Sequence, residues 1–93
     1  MDTQKIIEVV EMYHADLITH GTRPKRMESS KTFKELSEEE LLSHAMYLCE
    51  NIHGFIKDPE KRRKTGSHLT SIQLCLSFVG WYTLDDLMNH NRI

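Results

Sequence analysis

Proline and glycine are scarce in this chain, at 2 and 4 of 93 residues. That scarcity removes collagen-like, linker and low-complexity readings, all of which need one or both in quantity. Cysteine is scarce too: with 2 in the chain, a secreted disulfide scaffold is excluded. No apolar run approaches the roughly 18 residues that would cross a bilayer. A signal-peptide core is also missing, because Ile6-Ile7 and Val9-Val10 are broken by Glu8 and Glu11. Charge of one sign is lacking as well. The net charge of −2 does not supply the strongly basic field of a general nucleic-acid binder. These absences lead to the expectation of a cytoplasmic protein that keeps away from membranes.

What is present, 39% hydrophobic and 28% charged residues, reads as an ordinary soluble globular domain. At this length the expectation is one domain over residues 1–93, burying somewhat more than about 60% of the surface its unfolded form exposes.

Apolar residues recur at helical spacing in four stretches. Ile6, Val10, Tyr13 and Leu17, widened by Ile7, Val9 and Ile18, predict a first helix over residues 3–20, stopped by Gly21. From about 22 to 34 the pattern breaks at Arg23-Pro24-Lys25-Arg26 and Ser29-Ser30. This predicts one long loop, pinned to the core by Met27 and Phe33; loops of that length are uncommon and often functional. Ser37 and Glu40 spell a capping box, with Glu38 and Glu39 suiting the positive helix end. Behind them Leu41, Ala45, Leu48, Ile52 and Phe55, flanked by Leu42, Met46, Cys49 and Ile56, predict a central second helix to about Lys57.

Asp58 and Pro59 read as the cap and first turn of a third helix, carrying Lys61-Arg62-Arg63-Lys64, then the seam Leu69, Ile72, Leu76 and Val79 beside Cys75 and Phe78. Gly66 weakens its polar stretch by about 1 kcal/mol relative to Ala, and Gly80 ends it. Thr83 and Asp86 form a second capping box for a short helix to about His90, with Leu84, Leu87 and Met88 expected inward. No β-type alternation and no internal repeat occurs. The expected fold is all-α: a compact bundle of three longer helices plus a short C-terminal one.

One string has a likeness elsewhere. Glu60-Lys61, His68-Leu69, Gln73, Leu76, Gly80, Tyr82-Thr83-Leu84, Leu87 and His90-Asn91-Arg92, with Leu42-Ser43-His44-Ala45 and Leu48-Cys49 upstream, resembles the C-terminal half of small, mostly uncharacterised helical proteins encoded by bacteriophages and prophages. The resemblance covers roughly residues 38–92. It implies a viral accessory protein, a class that often binds and disables host factors; it carries no catalytic signature.

Three constellations could carry function. Cys49 and His53 share one helix face, as do His68 and Cys75, and antiparallel packing could gather a Cys2His2 metal set. The spacings Cys-x3-His and His-x6-Cys match no common zinc pattern, so two buried thiols and two partly exposed imidazoles are the better account. No cofactor or metal is expected. The basic run is the second. Arg62, Arg63 and Lys64, with Arg26 and its loop neighbours Arg23 and Lys25, could cradle a phosphate group. Cations in the first turns of a helix oppose its dipole, which sometimes marks function. A solvated face balanced by Asp58 and Glu60 accounts for the same residues more simply. The third is aromatic: Trp81 and Tyr82 at an interhelix corner suit an interface anchor or a plug for the end of the core, the plug being the commoner use.

Nucleophilic catalysis has no support. Ser43, Ser67, Ser71 and Ser77 are scattered along helices, without a Gly-x-Ser-x-Gly elbow or a strand to mount one. Asp85 and Asp86 beside His90 read as a capping pair with an exposed histidine, and no phosphate-binding glycine pattern occurs. The expectation is a non-enzymatic binding protein acting on a host protein or on itself as a homo-oligomer. The polar contacts would be Arg26, Arg62, Arg63 and Lys64, and Trp81 or Tyr82 the anchor. The alternative is a binder of a phosphate-bearing ligand, nucleotide or nucleic acid, through the same cations.

Overall fold

A computed structural model of the protein describes residues 2–61 and 63–92. They form helices α1 (Thr3–His20), α2 (Glu38–Ile56), α3 (Lys64–Phe78) and α4 (Leu84–His90), with a single 3-10 turn at Phe33–Glu35 and no strand among them. The bundle expected from periodicity is what the chain adopts.

Local chemistry sets most of the boundaries. The Asp2 carboxylate accepts the Lys5 backbone N–H at 2.8 Å and so caps α1. Gly21 ends it in the left-handed region (φ 87°), with Gly21 N donating to Ile18 O and Thr22 N to Leu17 O. Gly80 (φ 84°) closes α3 by the same pair of bonds, to Ser77 O and, from Trp81 N, to Leu76 O. Both predicted capping boxes form. Ser37 exchanges bonds with Glu40 at 3.2 and 3.1 Å, and Thr83 with Asp86 at 3.1 and 2.9 Å.

α2 is the central helix, packed mainly against α3 and secondarily against α1. Val10, Tyr13, Leu17, Cys49, Ile52, Ile72, Cys75 and Leu76 are fully buried in one apolar cluster. Each large aliphatic among them contributes about 1.5–3 kcal/mol relative to exposure.

The third helix starts later than its Asp58 and Pro59 signal predicts. Asp58 Oδ1 accepts the Glu60 N–H at 3.0 Å instead of capping a helix, and the chain turns through Lys61 N to Asp58 O and Lys64 N to Lys61 O. Asp58, Glu60, Lys61 and Arg63 offer no apolar side chain to pack, so little compensates nucleation until Thr65 and Leu69 reach the core. Lys61 and Arg63 therefore lie in turns, and Lys64 opens the helix. A second correction concerns orientation. Leu84 (71% exposed), Met88 (53%) and Phe78 (67%) face solvent, and of the α4 trio only Leu87 is buried. A helix as short as α4 rests on the bundle along one line, and Leu87 occupies it. Ile18 and Phe33 are likewise exposed, while Met27 is half-buried against the core as expected.

Candidate functional site

The cations singled out from sequence divide between two places. Arg62 lies outside the described residues. Arg63 is exposed in the turn before α3; Lys64 opens the helix, its Nζ 5.8 Å from the Phe55 ring centroid, a surface cation–π contact. Arg26 is exposed on the 22–34 loop, at the edge of a shallow cleft between that loop and α2. Ion pairs among the described residues are His14–Glu50 at 3.5 Å and Lys31–Glu40 at 3.3 Å, so Arg26, Arg63 and Lys64 are not neutralised by direct pairing. The cleft beside Arg26 nonetheless carries Glu28, Glu39 and Glu40, which weakens its attraction for phosphate.

Two histidines link these places. His44 is 8% exposed, and its Nδ1 accepts the Met27 backbone N–H at 3.1 Å. The Phe33 ring stands edge-on to it at 5.9 Å and the Tyr47 ring is stacked at 6.1 Å. Burial first, then the charges of Arg26 and His68, hold His44 below the ordinary imidazole range. His68 is lowered as well, by burial above all and also by the Lys64 charge, against the opposing effect of its bond to Lys64 O. A carbonyl only accepts, so the His68 Nδ1 2.9 Å from Lys64 O carries the proton. Phe55 meets the His68 ring at 4.9 Å. Arg26 thus lies near the Phe33, His44 and Tyr47 rings, and Lys64 beside the separate Phe55–His68 pair.

Trp81 and Tyr82 sit at the other end, half-buried against the core. Trp81 meets His20 edge-on at 5.4 Å. Tyr82 Oη donates to Asp16 Oδ2 at 2.9 Å, and its ring touches Tyr13 and His90. Burial and then the Asp16 bond push its phenol up to about 12. Both rings therefore serve the join between α3, α4 and α1, which leaves only their outer faces for a partner.

Beneath them is a polar cluster that sequence reasoning missed. Gln73 Nε2 donates to Tyr13 Oη at 3.0 Å and to Asn91 Oδ1 at 2.7 Å, and Asn91 Nδ2 returns a bond to Gln73 Oε1 at 3.3 Å. Tyr13 Oη also shares a hydrogen bond with His90 Nδ1 at 2.7 Å. Burial pushes the Tyr13 phenol up to about 12. His90 is therefore not the exposed histidine expected, and Asp86 beside it is engaged as the Thr83 cap. The one signal for this cluster is a glutamine within the apolar run of α3, where a polar side chain needs a buried partner.

The four residues weighed as a metal set do not present themselves as ligands. Burial pushes the Cys49 thiol up to about 12 and Cys75 up to about 11, so both stay protonated near neutrality and poor in thiolate. His53 turns its ring to His14 at 5.9 Å, whereas His68 lies against Phe55. Among the described residues no three His, Cys, Asp or Glu side chains converge on a possible metal position. None of their helices is long and apolar enough to cross a membrane. Comparison with known proteins finds no matching family model, no matching curated protein and no matching solved structure.

Proposed function

We propose that this chain is a non-enzymatic binding protein, a cytoplasmic accessory protein of the phage type, acting by stoichiometric contact with a host protein or with a second copy of itself. The observation that supports this most is the run of exposed apolar side chains at the C-terminal end. Leu74 and Phe78 are spaced i, i+4 on α3, and Leu84 and Met88 likewise on α4, all four more than half exposed. A small domain gains nothing in its own core from such positions, and large apolar side chains left exposed at helical spacing favour a protein partner. Trp81 and Tyr82 connect the two helices and would border the contact.

The alternative, a phosphate-bearing ligand, draws on Arg26, Arg63 and Lys64, none of which is in a salt bridge among the described residues, and is disfavoured by the glutamates next to Arg26. Native mass measurement of the purified chain with whatever accompanies it separates the two. On the first reading Phe78→Asp with Leu84→Asp dissolves the assembly, with affinity falling at least tenfold and the helical spectrum unchanged, while moderate salt has little effect. An assembly indifferent to those changes but lost on Arg63→Glu with Lys64→Glu, and steeply weakened by salt, would replace it with the second.

A further inference from the structure

We infer that His44 is an acid-sensitive latch for the 22–34 loop, whose protonation frees that loop from α2 while the helical core stays folded. This goes beyond the binding role and does not depend on it.

The geometry leaves little freedom. A backbone N–H can only donate, so the His44 Nδ1 that receives the Met27 N–H at 3.1 Å must be bare. A proton on that nitrogen sets donor against donor. The resulting cation would also be nearly buried (8% exposed), where an unpaired charge is costly.

The neighbouring cations compound the effect. From the loop, Arg26 is close enough for its charge to disfavour a second cation, and from α3 His68 acts in the same direction. On α2 itself Glu40, one turn earlier, is committed to Ser37 N and Lys31 Nζ. Tyr47 and Phe33 present rings to the imidazole. Lys25 and Glu28, the loop's other nearby charges, are exposed along the cleft.

The loop has few other fastenings to α2. Lys25 N donates to Ser43 O at 3.1 Å, and Lys31 pairs with Glu40 at the surface. Both lie on the same stripe of α2 as His44, so losing the central bond loosens both flanks. In the released state the imidazole is solvated and regains its ordinary value. Released molecules therefore bind more protons, and acid favours release. Docking is fully present above the ordinary histidine pKa of about 6.5 and is lost as pH falls through the lower value of the docked state. His68 is lowered too, and once charged it adds repulsion. Release would uncover Met27, the Phe33 edge and Tyr47.

Proton and amide NMR of the full chain tests this. Followed downward from pH 7.5, the His44 Cε1–H signal should titrate below 6.5, and the Met27 amide protection factor should fall at least tenfold with the same midpoint. Protection in Leu17, Ile52 and Leu76 should hold. In His44→Asn, whose carbonyl oxygen can accept the Met27 N–H without titrating, the fall should vanish. Arg26→Gln, a surface change, should raise the His44 midpoint in an otherwise native chain. Titration of His44 with Met27 still protected, or an Arg26→Gln midpoint unmoved, would overturn the latch.

Discussion

The C-terminal helix and the 22–34 loop are both fastened to the bundle through a histidine Nδ1, yet the two fastenings differ in kind. At α4 the histidine is His90, hydrogen-bonded to Tyr13 Oη. Around it Gln73, Asn91 and the Tyr82–Asp16 bond form a network reaching α1, α3 and α4. At the loop the acceptor is His44, taking a backbone N–H, with one backbone bond and one exposed ion pair beside it. Losing one member of the first set leaves several side-chain bonds in place; losing His44 leaves the loop the Lys25–Ser43 backbone bond and an exposed ion pair. Redundancy of polar contacts, more than their number alone, decides which segment can be released while the core persists.

The widest effect should come from the centre of the C-terminal network. Tyr13 is fully buried and contributes both ring packing and the hydroxyl that Gln73 and His90 share. Tyr13→Ala should cost about 3–5 kcal/mol in urea unfolding, as for other large buried aromatics truncated to Ala. A loss under about 1 kcal/mol would mean that α4 is not anchored through this residue, and the contrast with the loop would collapse.

Tyr13→Phe sharpens the same contrast by keeping the ring. It strips the hydroxyl and leaves His90 Nδ1 and one Gln73 N–H without their partner, at about 1–3 kcal/mol. If the network is redundant, α4 amides should remain protected in this variant, because Gln73 still holds Asn91 and Tyr82 still holds Asp16. Fraying of α4 as complete as in Tyr13→Ala would show the network to be one bond deep.

Much of this architecture was legible in the sequence because its determinants are local. Ser37 and Thr83 as caps, and Gly21 and Gly80 as stops, act within a few residues, and the α1 and α2 stripes bury as their spacing predicts except at Ile18 and Phe55. Where a local signal had a local competitor, the reading failed: Asp58 used its carboxylate for a turn, and α3 began only at Lys64. Orientation failed where a helix was too short for periodicity to fix a face, as at Leu84 and Met88. The histidine fastenings could not be read, since Met27 meets His44 across a loop and Tyr13 meets His90 from the far end of the chain. Nothing in the spacing of either residue encodes the other.

The smallest predicted effect tests the loop from its weak side. Lys31 and Glu40 are paired at 3.3 Å, but both side chains are more than a third exposed. Such pairs gain little Coulomb energy in water and lose side-chain entropy, so Lys31→Ala should change stability by no more than about 0.2–1 kcal/mol. Glu40 keeps its capping bond to Ser37 in that variant, so α2 loses nothing at its N-terminus. The Met27 amide should keep its protection at pH 7.5, because the bond to His44 is untouched. If Lys31→Ala released Met27 as fully as acid does, the surface pair would be the true fastening. His44 would then be only a packed ring, and the difference between the loop and α4 would be one of exposure instead of redundancy.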